Sequence, residues 1–315
     1  MKKPMTILTA KWRRNLPLHI MILPGMVFVF IFSYLPMLGL VMAFQNFSPR
    51  KSFAASDFVG LANFTYAFNL PGFWQVVYNT LLISVLKIIL AIIVPVLVAL
   101  LLNALISTGF KRTVQTIIYF PHFLSWIILA GLFIDILSPS EGAVNGVLKF
   151  LGLNAVYFLG DKAWFPYTMV ITDIWKGFGY GTIIYLAALT SINPDLYEAA
   201  EIDGAGGFKK TLYITLPSLT PVILLMLMLS LGGILNAGGT VSASGSSGFE
   251  QIYNLYSPQV YETGDILETL VFRLGLGGGQ YSVASAVGLV KSVFTFVLMS
   301  LGYWLAKKTA NYEIL

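Results

Sequence analysis

The residues able to do chemistry fall into two groups. One is Glu198-Ala199-Ala200, followed at fixed spacing by Asp203-Gly204-Ala205 and then by Ile214, Leu216 and Pro217. The other is a sparse set of ionisable side chains inside long apolar runs: Lys87, Asp173, Lys176 and Lys291, with Trp126, Trp175 and Tyr180 in the same runs. Neither group is a catalytic constellation. No nucleophile, base and orienting acid can be assembled. Cys is absent and His occurs only as His19 and His122, which excludes a thiolate centre and a His-based metal site. No Gly-x-x-x-x-Gly-Lys-Ser/Thr phosphate loop exists, and the run Gly275 to Gly279 reads as a turn. The expectation is a chain with no catalytic residue, no metal and no cofactor of its own.

The first group has a local physical logic. Pro194 and Asp195 resemble a helix start, where acidic residues are favourable. Leu196, Ala199, Ala200 and Ile202 give a short apolar face, and Glu198, Glu201 and Asp203 supply acid. Gly204, Gly206 and Gly207 end that helix and allow a sharp turn. A second short helix is expected over 208–214, limited by Pro217. The unit, residues 191–218, is too short and too charged to cross a membrane.

The elements that must carry these residues are set by composition. Of 315 residues 57% are hydrophobic and 10% charged, and the mean hydropathy is +0.79. Soluble domains carry about 25% charge, so a soluble enzyme and a disordered chain are both excluded. A helix crosses roughly 30 Å of hydrocarbon with about 20 residues. Six apolar runs meet that demand, over about 18–44, 78–106, 113–137, 165–189, 219–235 and 281–306. The expected fold is all-α and integral to the membrane, with six transmembrane helices. The first run is longer than a signal peptide's apolar core and is read as an anchor that stays. Pro95 and Pro121 predict kinks in the second and third runs.

Basic residues orient the bundle. With the N-terminus inside, the inner segments hold Lys2, Lys3, Lys11, Arg13, Arg14, Lys111, Arg112, Lys209, Lys210, Lys307 and Lys308, and the outer loops only Arg50, Lys51, Lys149, Lys162 and Arg273. This asymmetry predicts both termini in the cytoplasm. Residues 1–17 then form a cytoplasmic basic segment, either an amphipathic surface helix or a positive flank. Residues 18–306 form the membrane domain and 307–315 a cytoplasmic tail. The net charge of +5 is modest and points to orientation in a bilayer, with no nucleic-acid partner. Gly239 to Gly248 has the composition of a flexible linker, either inserted or natural.

The segment from Glu198 to Pro217 resembles the signature of permease subunits of binding-protein-dependent ABC importers: Glu-Ala-Ala, three residues, Gly, nine residues, Ile-x-Leu-Pro. Every spacing matches, and Asp203 and Ala205 fit its Asp-Gly-Ala extension. The Asn79-Thr80 pair and the stretch from Asn254 to Leu276 look like the sugar-importing, maltose-type branch that handles oligosaccharides. The resemblance covers about residues 15–310. It implies a type I ABC importer permease fold and a coupling helix that docks on an ATPase. The implied partners are a second related permease subunit, two ATPase subunits binding ATP and Mg, an extracytoplasmic solute-binding protein, a carbohydrate substrate and the lipid of a prokaryotic cytoplasmic membrane.

Charges inside apolar runs are costly and mark function by default. Lys87, Lys176 and Lys291 fall at comparable depth. One reading has them facing the translocation path and favouring acidic saccharides; the other has them snorkelling or paired with a partner. Asp173 lies one turn before Lys176 and is expected to neutralise it. Trp126, Trp175, Phe178, Tyr180 and Tyr185 either stack on sugar faces or pack between helices. His122 is expected to be packed rather than a proton relay. Two rival functions stand beside the importer of sugars: an ABC permease for a peptide, amino acid or phosphate, and a self-sufficient secondary transporter with inverted repeats. Neither a clear repeat nor a buried acidic ion site supports the latter.

Overall fold

The computed structural model describes residues 5–236 and 248–310. Most of Gly239 to Gly248 lies outside the described residues. The elements are α1 (Met5–Val29), α2 (Ala62–Phe68), α3 (Phe73–Ala104), α4 (Thr108–Tyr119), α5 (Trp126–Ile136), α6 (Ala143–Phe150), α7 (Phe165–Thr190), α8 (Asp195–Ile202), α9 (Gly207–Lys210), α10 (Leu216–Gly232), α11 (Gly248–Leu255), α12 (Tyr261–Gly264), α13 (Leu267–Phe272) and α14 (Tyr281–Ala310). A two-residue antiparallel ladder, Gln45–Asn46 with Asp57–Phe58, is the one strand pair among the described residues.

The expected all-helical membrane bundle is present, but its spans are less uniform than six matching helices. Among the described residues four stretches are individually long and apolar enough to cross a bilayer: Asn15–Phe44, Phe73–Ala104, Gly207–Gly232 and Tyr281–Trp304. The third expected span is broken, with Thr108–Phe123 and Trp126–Ile136 meeting at 104°. Pro121 sits in a 3-10 turn at the break, and Ser125 starts the next helix by accepting from the Ile128 N–H at 3.4 Å. Pro95, by contrast, leaves α3 one continuous element. α7 has 26 residues but carries too many polar groups to stand alone in lipid, and other helices shield it.

One further expectation needs correction at the chain level. Among the described residues, Met5–Val29 is one helix, α1. The second short helix of the 191–218 unit does not stop at Pro217. A π turn, Thr211–Thr215, joins α9 to α10, and Pro217 lies in the first turn of α10. The wide turn resets the hydrogen-bond ladder, so the N–H that Pro217 lacks is not missed.

α3 and α7 are the central pair. Both begin at the same end of the bundle, because Asn79 of α3 bonds the carbonyls of Glu262 and Asp265 while Phe165 of α7 packs at Gly264. Small residues on α7 permit this packing. A Cβ on Gly181 would stand 3.1 Å from Pro95 Cγ, and one on Gly179 would stand 1.9 Å from the Ile118 carbonyl oxygen. One apolar cluster, with Ile83, Leu129, Phe165, Met169 and Ile252, fills the end where α3 and α7 begin. Another, with Ala99, Leu102, Leu189 and Leu219, fills the end that carries α8. The stretch from Leu18 to Tyr34 is exposed throughout, as a helix facing outward into hydrocarbon must be, whereas Leu35–Phe44 packs on α14 and α2 with Ala43 buried.

Gly179→Ala forces a methyl against a backbone oxygen that cannot rotate away. It is expected to cost about 1–3 kcal/mol, read as a lower thermal unfolding midpoint in detergent. Gly146→Ala, where a Cβ meets nothing within 4 Å, is the control and should leave the midpoint unchanged or slightly raised.

Candidate functional site

The 191–218 unit forms a helix, a glycine turn and a second helix. Asn193 opens α8 by accepting from the Asp195 N–H at 3.1 Å, and Asp195 and Glu198 occupy the first turn. At the far end the Ala205 N–H reaches the Ala200 carbonyl at 2.8 Å and the Gly204 N–H reaches that of Glu201 at 3.0 Å. Gly204 has φ +72°, the left-handed turn that lets a helix end without orphaning its last carbonyls. The spacing Ala-Ala-x-x-x-Gly-Ala is thus a helix stop.

The unit is nearly all surface. No residue of α8 is buried. Glu198, Ala199, Asp203, Gly204 and Pro217 are exposed, while Ala200, Ala205, Ile214 and Leu216 are half-buried. Ile202 is 88% exposed and Phe208 81%. Apolar side chains this bare, ringed by acid, form a surface suited to a partner. Two contacts that sequence spacing did not flag lock α8 against the following helix. Tyr197 OH lies 2.9 Å from Thr215 Oγ1, and Lys210 pairs with Glu201 across the glycine turn. The Lys210 ammonium, by hydrogen bond and then by charge, holds the Glu201 carboxyl below the usual carboxylate range.

The second group gathers between α3, α7 and α11. Lys87 has no exposed surface. Its Nζ donates to Gln251 Oε1 at 2.5 Å and lies 3.7 Å from Asp173 Oδ1. Gln251 Nε2 in turn donates to the Met169 carbonyl and to Thr172 Oγ1, both at 2.7 Å. The expected neutralisation of Lys176 by Asp173 is therefore replaced: Asp173 pairs with Lys87 on the neighbouring helix. Lys176 Nζ instead lies 5.1 Å from the Trp126 ring centroid, a cation–π contact. The pairing changed because a residue one turn away on the same helix had to compete with a fully buried ammonium, whose desolvation demands the nearest carboxylate. Lys291 also has a partner, donating to Glu268 Oε1 at 2.9 Å beside a cavity of about 600 Å³.

The aromatic candidates separate by exposure. Trp126 and Tyr185 are buried. Trp175 is 41% exposed and meets Phe133 edge-on. Tyr180 stacks on His122 with centroids 4.2 Å apart, which makes His122 a packed ring.

Sequence reasoning missed Gln251, Thr172 and Glu268, and it had no structural account of Asn79 and Thr80. Asn79 Nδ2 donates to the Glu262 carbonyl at 3.0 Å and the Asp265 carbonyl at 3.2 Å, and Thr80 Oγ1 accepts from the Leu267 N–H at 2.9 Å. The pair fastens the 261–267 segment to α3. The sequence signals were its polar character inside an apolar run and its family resemblance, neither of which names its partners.

An all-helical bundle with lipid-length helices, and with a bare helix and glycine turn at one end, defines a membrane permease component. Residues 91–311 match the family of binding-protein-dependent transport system inner membrane components, and the chain belongs to that family. It is 39% identical over 291 residues to the polygalacturonan/rhamnogalacturonan transport system permease protein YteP of Bacillus subtilis (strain 168), covering 92% of this chain and 88% of that one. It is 36% identical to protein LplB of the same organism, covering 95% of this chain and 91% of that one. A crystal structure of a bacterial ABC transporter involved in the import of the acidic polysaccharide alginate superposes with a TM-score of 0.86 at 39% identity, over 96% of this chain and 99% of that chain. The fold is thus the type I ABC importer permease fold, in a multi-pass membrane protein.

Two predictions rest on these geometries. Lys87→Met leaves the Asp173 carboxylate buried without its cation and should cost about 3–5 kcal/mol, seen as a lower unfolding midpoint in detergent. Adding Asp173→Asn should recover part of that loss, whereas a surface position would show no such rescue. At the turn, Glu201 has a depressed pKa, so its contribution is present above the ordinary Glu range and lost as pH falls through the lowered value. A spin label replacing Ile202 should become more mobile across that acid window. In a Lys210→Met background it should be mobile throughout, with no pH step.

Proposed function

We propose that this chain is the permease subunit of an ATP-driven importer that carries an acidic oligosaccharide across the cytoplasmic membrane of a prokaryote by alternating access. The observation that carries the reading is likeness over nearly the whole chain to a solved importer of the acidic polysaccharide alginate. A relative named for polygalacturonan and rhamnogalacturonan supports the same substrate class. A second solved structure, of an alginate transporter in complex with alginate pentasaccharide-bound periplasmic protein, supports a substrate-binding protein as the donor.

The working complex has a second related permease chain, two ATPase subunits that bind ATP and Mg, and the extracytoplasmic binding protein. α8 is the coupling helix. Glu198, Ala199, Ala200, Asp203, Gly204 and Ala205 present it to the ATPase, and Ile214, Leu216 and Pro217 carry its motion into α10. The locks at Tyr197–Thr215 and Glu201–Lys210 make the unit rigid, so ATPase closure becomes a rigid-body shift of helices rather than a local bend. The basic asymmetry of the loops supports both termini in the cytoplasm, on the side of α8. Trp175, Tyr180 and Lys291 are the substrate-path candidates with the freest surfaces, and Lys176 is buried against Trp126. Lys87, Asp173 and Trp126 act behind them by fixing α3, α7 and α5.

The test is a complex reconstituted in proteoliposomes with its partners, assayed for oligogalacturonate uptake and for saccharide-stimulated ATP hydrolysis. Uptake and stimulation are expected together. Glu198→Arg and Gly204→Pro should each abolish both while the chain still inserts in the membrane. Persisting uptake in those variants would overturn the coupling assignment, and no stimulation by any of a panel of acidic and neutral saccharides would overturn the carbohydrate assignment.

A further inference from the structure

The segment after α10 does not stay at the rim of the bundle. Gln251 meets Lys87 deep on α3, whereas Glu262 meets Asn79, about 12 Å nearer the beginning of α3 at 1.5 Å per residue. α11 and the chain that follows it therefore climb alongside α3 from mid-bundle toward the end opposite α8. Gln251, Ile252 and Leu255 form the buried side of α11. Its other side is aromatic. Phe249 and Tyr253 stack with centroids 5.2 Å apart, and Phe272 closes on both, at 5.4 Å and 4.9 Å. Tyr253 continues to Tyr256 at 6.2 Å, Tyr256 to Tyr261 at 4.9 Å, and the Arg273 guanidinium lies 5.0 Å from the Tyr261 ring.

This row of rings joins two cavities. At the deep end Phe249 and Phe272 line the cavity of about 600 Å³ that also holds Glu268 and Lys291. At the upper end Tyr261 and Arg273 line a second, of about 420 Å³, with Gln75 and Glu262. Each cavity thus has a cation already paired with a carboxylate, Lys291 with Glu268 and Arg273 with Asp265. None of the rings is fully buried, and Tyr253 is 43% exposed. Core packing would bury these faces. A row left half-open between two cavities that each hold an ion pair offers a series of π faces, each attractive to the electropositive C–H edges of a sugar ring. Ring-to-ring steps of about one sugar unit let a chain advance by exchanging one stacking partner for the next.

We propose that Phe249, Tyr253, Tyr256 and Tyr261 form an aromatic track that guides successive sugar rings between the two cavities, with the Arg273–Asp265 and Lys291–Glu268 pairs offering donors and acceptors to sugar hydroxyls at its ends. The inference rests on the saccharide reading above and adds a site to it. A track of this kind selects for chain length, because longer saccharides engage more rings at once.

The experiment uses the reconstituted complex with oligogalacturonates of two, three and five units. Tyr253→Leu and Phe249→Leu, each in a complex confirmed to assemble, should lower uptake of the five-unit chain about tenfold at limiting concentration, since each removes a stacking face. Uptake of the two-unit chain should fall far less, and Tyr253→Trp should restore the longer substrate. Unchanged uptake in both Leu variants, or an equal loss at every length with no rescue by Trp, would overturn the track while leaving the importer reading intact. Failure of the unsubstituted complex to move any saccharide would overturn both.

Discussion

The constraint on which the rest of the structure depends is the buried Lys87 ammonium. A cation in a bundle of apolar helices must find a carboxylate and a dipole within reach, or the fold does not persist. Asp173 and Gln251 supply them, and they come from two other elements. Satisfying one side chain therefore ties α3 to α7 and both to α11. Gln251 extends the tie by donating to the Met169 carbonyl and to Thr172. The network acts as a specificity device: apolar faces could slide past one another, but an ion pair with three fixed hydrogen-bond partners has one register.

The same logic governs the segment that climbs beside α3. Backbone that leaves a helix inside a membrane domain has groups no lipid can satisfy. Asn79 and Thr80 take over that task, accepting and donating to the 262–267 backbone. Once the backbone is tied down on one side, the aromatic side chains of α11 are free to face away from the core. Packing, polar satisfaction and the proposed substrate track are thus consequences of one another.

At the other end the constraint is mechanical. An eight-residue helix has little intrinsic stability. α8 persists because Gly204 closes it, and because Tyr197 and Glu201 hold it to the helix that starts at Gly207. A long helix continuous through the π turn at Thr211–Thr215 links this unit to the apolar cluster around Leu219. Force applied to α8 is thereby delivered to the bundle.

Sequence by itself determined the membrane bundle, the charge asymmetry and the helix–glycine–helix unit. These follow from composition and from spacings of at most twenty residues, where chain geometry decides what is adjacent. It also singled out Lys87, Asp173, Lys176 and Lys291, because a charge in an apolar run is conspicuous wherever the run folds. Tertiary structure alone decided the partners. Asp173 turned from Lys176 to Lys87, Lys291 found Glu268, and Gln251 arrived from 164 positions away. It also decided that Pro121 breaks its span while Pro95 does not, since Pro95 fits the space that Gly181 leaves on α7. The physical reason is the same in each case. Local spacing sets what a helix presents, but a buried charge or a proline is resolved by whichever element packs against it, and that choice is made in three dimensions.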